Sequence, residues 1–423
     1  MKEDFLHTVW EQQLFRKDNL LLNGADPVFI LKPGFRNSDS GPDFNQAKIR
    51  IGDLEWIGSV EIHVRASEWN LHQHHFDPAY QSVVLHVVWE KDTDVYRSDG
   101  SLVPCLEIQH LVPLEVMLRY RSLVEVEKKS IACATFLPKV KPVLVISMQE
   151  RVLVERLERK AKDILARFES NNKDWLQTFF QTIAWSLGLR VNSEPMLVLS
   201  QSIKINILAS QSWSPEKLAA IFLGQGGYLK DVNGPAGMKL KSEYQFISQK
   251  YGLSQPPIVW KLFRLRPGAF PVQRLVLLAI ISSNLPIWFD QLTKADDHFE
   301  FFENVNSSIK HELLSSFLQE LGYKKNDFGL SKFLKDSLVI NVFAPFLTAL
   351  SLHHDQREWI EKSLKWLSKL APEENTITKT WKNLGMKVHS AEESQAFTEL
   401  YNNYCLEKKC MNCQIGIDIL KNP

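Results

Sequence analysis

The sequence predicts two structural parts, an α/β N-terminal domain followed by a mainly α-helical domain. Short apolar runs of strand length, separated by turn residues, follow one amphipathic helix in the N-terminal part. Farther along the chain, apolar residues recur at helical spacing instead. We therefore predict an α/β domain over residues 1–115, a connecting segment over 116–146 and an α-helical domain with a C-terminal cysteine cluster over 147–423.

Composition places the chain among ordinary globular proteins. It has 423 residues, of which 44% are hydrophobic and 23% charged, and this length favours two or three domains. No uninterrupted apolar run approaches the roughly 20 residues that span a bilayer, and the first residues lack the layout of a secretory signal. We expect a cytoplasmic protein without a membrane partner. The net charge of +1 means that nucleic-acid binding would need a local basic surface.

The N-terminal elements are predicted from apolar periodicity and turn residues. A helix over 4–15 leads to a first strand, and the polar run 37–42 forms a turn. Gly52-Asp53 is typical of a hairpin turn between two adjacent antiparallel strands. The predicted strands are Val28–Leu31, Ala47–Ile51, Trp56–Val64, Val83–Trp89 and Val103–Ile108.

The helical part begins with a charged helix with an apolar stripe, Gln149–Arg167. Further helices are predicted over 175–187, 215–223, 272–283, 308–321, 343–370 and 392–404.

The strand around Glu61 carries chemical groups on one face. Glu61 and His63 are two residues apart and point the same way, whereas Val60 and Ile62 point to the opposite face. A carboxylate and an imidazole in an apolar strand are costly to bury unless they are paired or bind a metal. The alternative is a half-exposed strand with a solvated glutamate and a hydrogen-bonded histidine.

Asp43 precedes the neighbouring strand, so it can join Glu61 in binding a divalent cation. Mg²⁺ or Mn²⁺ is held by one or two carboxylates, with water and substrate phosphate completing the coordination. Such an ion polarises phosphate and activates water, and His63 would assist beside the nucleophile. The residues thus predict metal-dependent hydrolysis of phosphodiester bonds.

A helix, then Pro-Asp before one strand and Glu-x-Lys on the next, is the pattern of the PD-(D/E)XK nuclease superfamily. Pro42-Asp43 and Glu61-Ile62-His63 resemble it. The resemblance implies a restriction-endonuclease-like mixed sheet and a nuclease activity on DNA or RNA. His63 replaces the usual lysine, so Lys48 can take its role, or the protein retains the fold as a non-catalytic binding or scaffold protein. Glu11 on the first helix would be a further acidic ligand of the kind some members carry; a solvated helix face is the alternative.

A second resemblance covers most of the chain. Three segments are similar to an uncharacterised bacterial family known as domain of unknown function 2851: Gly41-Pro42-Asp43-Phe44, Val60-Glu61-Ile62-His63 and Leu85-His86-Val87-Val88. This resemblance implies no activity.

The run from His72 to Asp77 offers a different metal chemistry. His72, His74 and His75 suit Zn²⁺, Mn²⁺ or Fe²⁺, and a metalloenzyme centred on them is an alternative to the nuclease hypothesis. The same loop can instead contact substrate or be a polar surface loop. His86 lies in an apolar strand, where a hydrogen-bonded core histidine is the expected role.

Cys405, Cys410 and Cys413 form a compact thiol group near the C-terminus. Cys-x2-Cys spacing is common in zinc and iron–sulfur sites, and the odd total of five cysteines favours reduced thiols. A fourth ligand would be His389 or Cys133. Without one, the group is a set of free thiols.

Aromatic and basic residues alternate from Trp260 to Arg274. This pattern is typical of grooves that stack bases and contact phosphates, and it makes Arg264, Arg266 and Arg274 candidate substrate-binding residues. The alternative is a proline-ordered connection whose arginines cap helices or pair with acids.

Overall fold

The computed structural model describes residues 2–22, 26–37, 39–125, 131–209, 213–265, 268–305, 311–323 and 330–422. The chain divides into two compact units. The first comprises Met1–Arg151, Lys379–Met386 and Phe397–Pro423, and the second comprises Val152–Thr378 and Lys387–Ala396. The predicted boundaries differ from this division, since the connecting segment and the C-terminal cysteine segment both group with the N-terminal residues.

The first unit is built on a mixed seven-stranded sheet. Its spatial order is β1-β2-β4-β5-β6-β7, with β3 paired to β4. The pairs from β1 to β5 are antiparallel, whereas β5–β6 and β6–β7 are parallel. The strands are β1 (Leu21–Leu22), β2 (Asp26–Lys32), β3 (Phe35–Arg36), β4 (Phe44–Ile51), β5 (Leu54–Arg65), β6 (Val83–Glu90) and β7 (Cys105–Glu107).

The described helices of the first unit flank this sheet or belong to the returning C-terminal segment. They are α1 (Glu3–Glu11), α2 (Glu68–Leu71), α3 (Leu114–Val124) and, at the end of the chain, α19 (Gln414–Lys421). Apolar residues of α1, including Phe5 and Trp10, are fully buried, and α1 contacts β5. Phe5 also stacks on Tyr120 of α3, with ring centroids 4.1 Å apart.

Three helices have residues in both units. They are α4 (Pro142–Ser170), α17 (Thr376–Asn383) and α18 (Ala391–Leu400). The second unit is otherwise formed by α5 (Trp175–Leu187), α6 (Ser193–Gln201), α7 (Ile205–Ala209), α8 (Pro215–Gln225), α9 (Pro235–Tyr251), α10 (Pro271–Ser282), α11 (Leu285–Lys294), α12 (His298–Asn304), α13 (Glu312–Glu320), α14 (Lys332–Leu338), α15 (Ala344–His354) and α16 (Glu358–Ser368).

The predicted fold class is confirmed at this level, because a mixed α/β sheet precedes a mostly helical region. The prediction of one helix over 343–370 is wrong. Asp355 adopts a left-handed conformation with φ of 53° and ends α15, so the segment forms two helices. The predicted helix over 308–321 begins outside the described residues, and its described part is α13.

Two apolar helical segments were compared with membrane spans by their length and hydropathy. Among the described residues, Lys332–His354 is long and apolar enough to cross a membrane, and 72% of its most apolar stretch is buried inside the protein. A second candidate arises only if α10 and α11, which are bent by 69°, are taken as one span.

Gly58 sets the approach of β6 to β5. A Cβ atom there would lie 2.4 Å from both the Ser82 carbonyl oxygen and Val84 Cγ1. Because both contacts come from β6 or the residue preceding it, a larger side chain would push the two parallel strands apart. Gly58 thereby helps fix the strand that carries Glu61 and His63.

We expect Gly58→Ala to lower the free energy of unfolding by roughly 1–3 kcal/mol, the usual cost of overpacking. Urea unfolding measures the change. Glu55→Ala on the same strand is the control, because it removes only an exposed ion pair with Lys48, worth less than about 1 kcal/mol. Equal stability of Gly58→Ala and wild type would contradict the close approach.

Candidate metal centre

β5 buries a carboxylate and an imidazole side by side. Glu61 is 5% exposed and His63 is 2% exposed, and both lie on the face opposite Val60 and Ile62. The two side chains approach each other directly, with Glu61 Oε1 3.5 Å from His63 Nε2. The predicted pairing of Glu61 and His63 on one strand face thus corresponds to a buried arrangement.

Asp43 immediately precedes β4 and hydrogen-bonds to the backbone of β5. Phe44, the first residue of β4, is opposite Val60, so the Ile62 N–H lies beyond the end of β4. Asp43 Oδ2 accepts a hydrogen bond from that N–H at 2.9 Å, and the Asp43 N–H donates to Glu61 Oε2 at 3.2 Å. The Asp43 carboxylate therefore accepts the hydrogen bond that a residue of β4 would accept if that strand were longer, and it lies next to Glu61.

The loop after β5 brings two further histidines to the same place. Gln73 has a left-handed conformation with φ of 60°, and a 3₁₀ turn over His74–Phe76 follows it. His72 Nδ1 lies 3.2 Å from His63 Nε2, and His74 Nε2 lies 3.3 Å from Glu61 Oε1. The His74 ring is held between those of His63 and Tyr80, with centroid distances of 5.3 and 3.8 Å.

Glu61, His63, His72 and His74 together form what we call the His–Glu cluster. Ring nitrogens of the three histidines all lie within 4.8 Å of one another. Four ligands arranged tetrahedrally around an ion at about 2.1 Å are separated from one another by about 3.4 Å. Three of the six donor separations, of 3.2, 3.3 and 3.5 Å, have this size. The geometry therefore suits one divalent ion.

Burial controls the protonation of this cluster. It lowers the pKa of His63 to about 2, and the neighbouring imidazoles, first that of His86, add to the effect. Burial likewise lowers the pKa of His86 to about 3 and raises the pKa of Glu61. Neutral imidazoles have the lone pair that metal ligation requires, and a bound cation would compensate the buried carboxylate.

His86 occupies the position of a supporting residue for His63. It is fully buried on β6, and its Nε2 lies 2.9 Å from His63 Nδ1. A histidine that binds metal through Nε2 keeps its proton on Nδ1, and that proton is commonly donated to a second group. His63 can donate this proton to His86, so the predicted core histidine also orients a candidate ligand.

Several buried nitrogens around the cluster have no hydrogen-bond partner within the described part of the chain. They include His74 Nε2 and His7 Nε2, each near a carboxylate but poorly aligned for a hydrogen bond. Buried polar atoms are seldom left unmatched. His74 Nε2 is thus available to an ion at the cluster.

The helix α1 supplies two residues that the sequence analysis did not select. His7 Nε2 lies 3.2 Å from Asp43 Oδ2, and the guanidinium of Arg36 donates to His7 Nδ1 at 3.3 Å. Burial raises the pKa of Glu3, and the nearby groups that act on it include His7 and Asp43. The spacing of four residues between Glu3 and His7 places both on one face of the helix, and this pattern was visible in the sequence, although Glu11 was the predicted acidic ligand.

Other predicted site residues lie elsewhere. Lys48 forms an ion pair with Glu55 at 2.6 Å, and its Cα is opposite Ile57, four residues before Glu61. At the rise of a strand this separation is about 13 Å, and the ion pair holds the Lys48 ammonium group at Glu55. His75 packs on Phe76, with ring centroids 3.9 Å apart, and is not in the group of three histidines.

The three predicted phosphate-binding arginines have different surroundings. Arg264 lies in the connection between α9 and α10, and its guanidinium carbon is 5.0 Å from the ring centroid of Phe263. Arg274 lies on α10, where burial lowers its pKa and leaves Nε without a hydrogen-bond partner among the described residues. Arg266 lies outside the described residues.

A mixed α/β unit with buried histidine and carboxylate donors defines the protein as a candidate metalloprotein. The chain matches the model of a family described as "Protein of unknown function (DUF2851)" over residues 3–376, and it belongs to this family. The predicted membership is thereby confirmed, and the likeness to nucleases stays a prediction. Comparison with curated proteins and with solved structures gives no match.

His74→Ala should weaken binding of Mn²⁺ or Zn²⁺ on the order of tenfold or more, because it removes one of four donors. Isothermal titration calorimetry on the full chain measures the affinity. His75→Ala is the matched control, since it removes an imidazole from the same loop but outside the cluster. Identical affinities for the two variants would contradict the assigned ligand set.

His86→Leu should weaken metal binding by about 10–100-fold, the usual effect of losing a partner that orients a ligand. Its thermal unfolding temperature should also fall moderately, because leucine leaves His63 Nδ1 without its buried hydrogen-bond partner. His86→Gln keeps a hydrogen-bonding side chain and should recover part of the affinity. A large loss of stability without a change in affinity would assign His86 a purely structural role.

Proposed function

We propose that the His–Glu cluster binds a divalent transition metal and that the protein hydrolyses phosphodiester bonds of nucleic acid. One observation carries the proposal: three imidazoles approach within 4.8 Å of one another, beside a buried carboxylate. A six-coordinate ion such as Mn²⁺, held there through four protein ligands, would have two positions left for water and a phosphate oxygen. Such an ion acidifies bound water and polarises the phosphate.

The donor set favours one of the two ions expected from the sequence. Mg²⁺ prefers oxygen ligands in octahedral geometry, whereas imidazole nitrogens suit Mn²⁺, Zn²⁺ and Fe²⁺. Asp43 Oδ2 is occupied by the Ile62 N–H and approached by His7, so Asp43 lies beside the cluster and contributes negative charge. We therefore propose Mn²⁺, with Zn²⁺ as the competing ion.

The choice of phosphodiester substrates rests on the order and chemistry of the elements. The helix α1 precedes β4, which follows Pro42-Asp43, and β5 carries Glu61 and His63. β6 then pairs in parallel with β5. This order supports the proposed likeness to the PD-(D/E)XK superfamily, in which the equivalent positions serve nucleic-acid cleavage.

The replacement of the usual lysine by His63 alters the division of roles. His63 lies among the candidate ligands, and Lys48 is paired with Glu55, so neither residue steadies the attacking water as a cation. Activation of water would then depend on the metal and on the nearby Asp43 carboxylate, which His7 and Arg36 hold in place. His72 is exposed and lies where substrate can reach the cluster.

A non-catalytic binding or scaffold protein is the second candidate. Lys48, the lysine predicted to assist catalysis, is paired with Glu55, which favours this candidate. In that case the His–Glu cluster would bind its ion, and nucleic acid would be retained without cleavage. Metal binding and cleavage must therefore be measured separately.

We expect the full chain with Mn²⁺ to cleave labelled single-stranded or double-stranded DNA or RNA. Glu61→Gln and His63→Ala should each reduce the rate by about 100-fold or more, because they remove a donor of an ion on which water activation depends. His75→Ala should cleave at the wild-type rate. Circular dichroism and calorimetry establish that the variants are folded and report their remaining metal affinity.

The results separate the candidates. Metal binding without cleavage of any of the four substrates would overturn the nuclease proposal, and retention of nucleic acid in a gel-shift assay would then favour the binding protein. Equal cleavage by wild type and Glu61→Gln would assign the activity to a contaminant or another site.

A further inference from the structure

Four of the five cysteines meet in the first unit. Cys405, Cys410 and Cys413 come from the returning C-terminal segment, and Cys133 comes from the segment after α3, about 270 residues earlier in the sequence. All four line one cavity, together with Tyr404 and Gly416. None of them forms a disulfide. The fold thus completes the ligand set that the C-terminal motif lacks, and it selects Cys133 from the two predicted fourth ligands.

Local structure supports this convergence at two points. Cys410 begins a 3₁₀ turn over Cys410–Asn412, and its carbonyl oxygen would lie 2.1 Å from a Cβ atom at residue 416. Only glycine permits this approach of the turn to α19. The thiol of Cys410 also donates to the Leu123 carbonyl oxygen at 3.7 Å, which joins the turn to α3.

Cys413 has the surroundings of a thiolate ligand. It immediately precedes α19, and the backbone N–H groups of Ile415 and Gly416 donate to its sulfur. N–H···S hydrogen bonds are among the contacts that stabilise and tune iron–sulfur clusters. Burial nevertheless raises the pKa of the thiols, to about 12 for Cys133 and about 11 for Cys410. The thiols are therefore protonated without a metal, and metal binding would displace their protons.

The spacing distinguishes between the two metal chemistries that four cysteines suit. Cys405-x4-Cys410-x2-Cys413 has the C-x4-C-x2-C spacing of plant-type iron–sulfur ferredoxins, with the fourth cysteine distant in sequence. The order differs, because in this chain the distant cysteine precedes the other three.

The separation of the sulfur atoms also favours an iron–sulfur cluster over a single zinc ion. A tetrahedral zinc site, with Zn–S bonds of about 2.3 Å, holds its sulfurs about 3.8 Å apart. Among the residues that the structure describes, His63, His72 and His74 form the only group of three donors within 4.8 Å of one another. No three of the cysteine sulfurs are that close. The cysteine sulfurs are thus not arranged as the ligands of a single zinc ion.

We infer that Cys133, Cys405, Cys410 and Cys413 bind an iron–sulfur cluster that joins the C-terminal segment to the first unit. The ligand is iron with inorganic sulfide, and its role is structural. The inference is independent of the proposed nuclease activity, because it uses none of the residues of the His–Glu cluster.

The test is purification of the full chain without oxygen, followed by reconstitution with ferrous iron and sulfide. We expect a brown protein with visible iron–sulfur absorption and with iron and acid-labile sulfide bound in equal amounts. Cys133→Ser and Cys410→Ser should each lose most of this absorption. Cys105→Ala is the matched control, since Cys105 is a buried cysteine on β7, packed against Ala66 and Val88, and should keep full absorption.

Bound zinc in a colourless protein, or no bound metal after reconstitution, would overturn the inference. If the serine variants fail to fold, the wild-type chain alone decides, because the metal and sulfide analysis and the electron paramagnetic resonance spectrum of the reduced protein require no variant. Loss of the cluster with retained Mn²⁺ binding would separate this outcome from failure of the proposed function.

Discussion

The burial of charged and titratable groups on β5 is the constraint on which the first unit depends. Glu61 and His63 lie at the middle of the mixed sheet, where removal from water disfavours both a carboxylate and an imidazolium. Hydrogen bonds offset part of this desolvation cost: the Asp43 N–H donates to Glu61, and His63 is hydrogen-bonded to His86. His74 Nε2 remains unmatched beside the carboxylate, and a divalent ion would satisfy both groups.

The loop that completes the cluster is positioned by packing rather than by the strand. Trp69 on α2 is 1% exposed and packs with Val83, Val95 and Val103. The Asp77 side chain accepts a hydrogen bond from the Ala79 N–H at the following 3₁₀ turn. These contacts fix both ends of the segment that contains His72 and His74. A well-ordered loop reduces the conformational entropy that metal binding would otherwise remove.

Some parts of the site could be predicted from the sequence, and others depend on tertiary structure. Strand periodicity placed Glu61 and His63 on one face, because a period of two needs no tertiary information. The position of Lys48 along the sheet could not be predicted, since its register with Ile57 depends on a bulge in which Gln46 has φ of 57°. His74 and His75 were indistinguishable in the sequence, because a left-handed residue and the packing of Trp69 decide which imidazole points inward.

The two groups of candidate ligands are connected through α1. This helix contacts β5, and His7 on it supports Asp43, which lies beside Glu61. The same helix contacts the turn that begins at Cys410, and Arg119 of α3 donates to the Ile419 carbonyl oxygen of α19 at 2.7 Å. The C-terminal segment lies beyond the residues matched by the family model, and it packs against the helix that completes the surroundings of the His–Glu cluster. Because histidine and carboxylate donors suit Mn²⁺ or Zn²⁺ and thiolates suit iron–sulfur clusters, the two proposed sites would select different metals. A centre at the cysteines would hold α1 in place without competing for the ion at the His–Glu cluster.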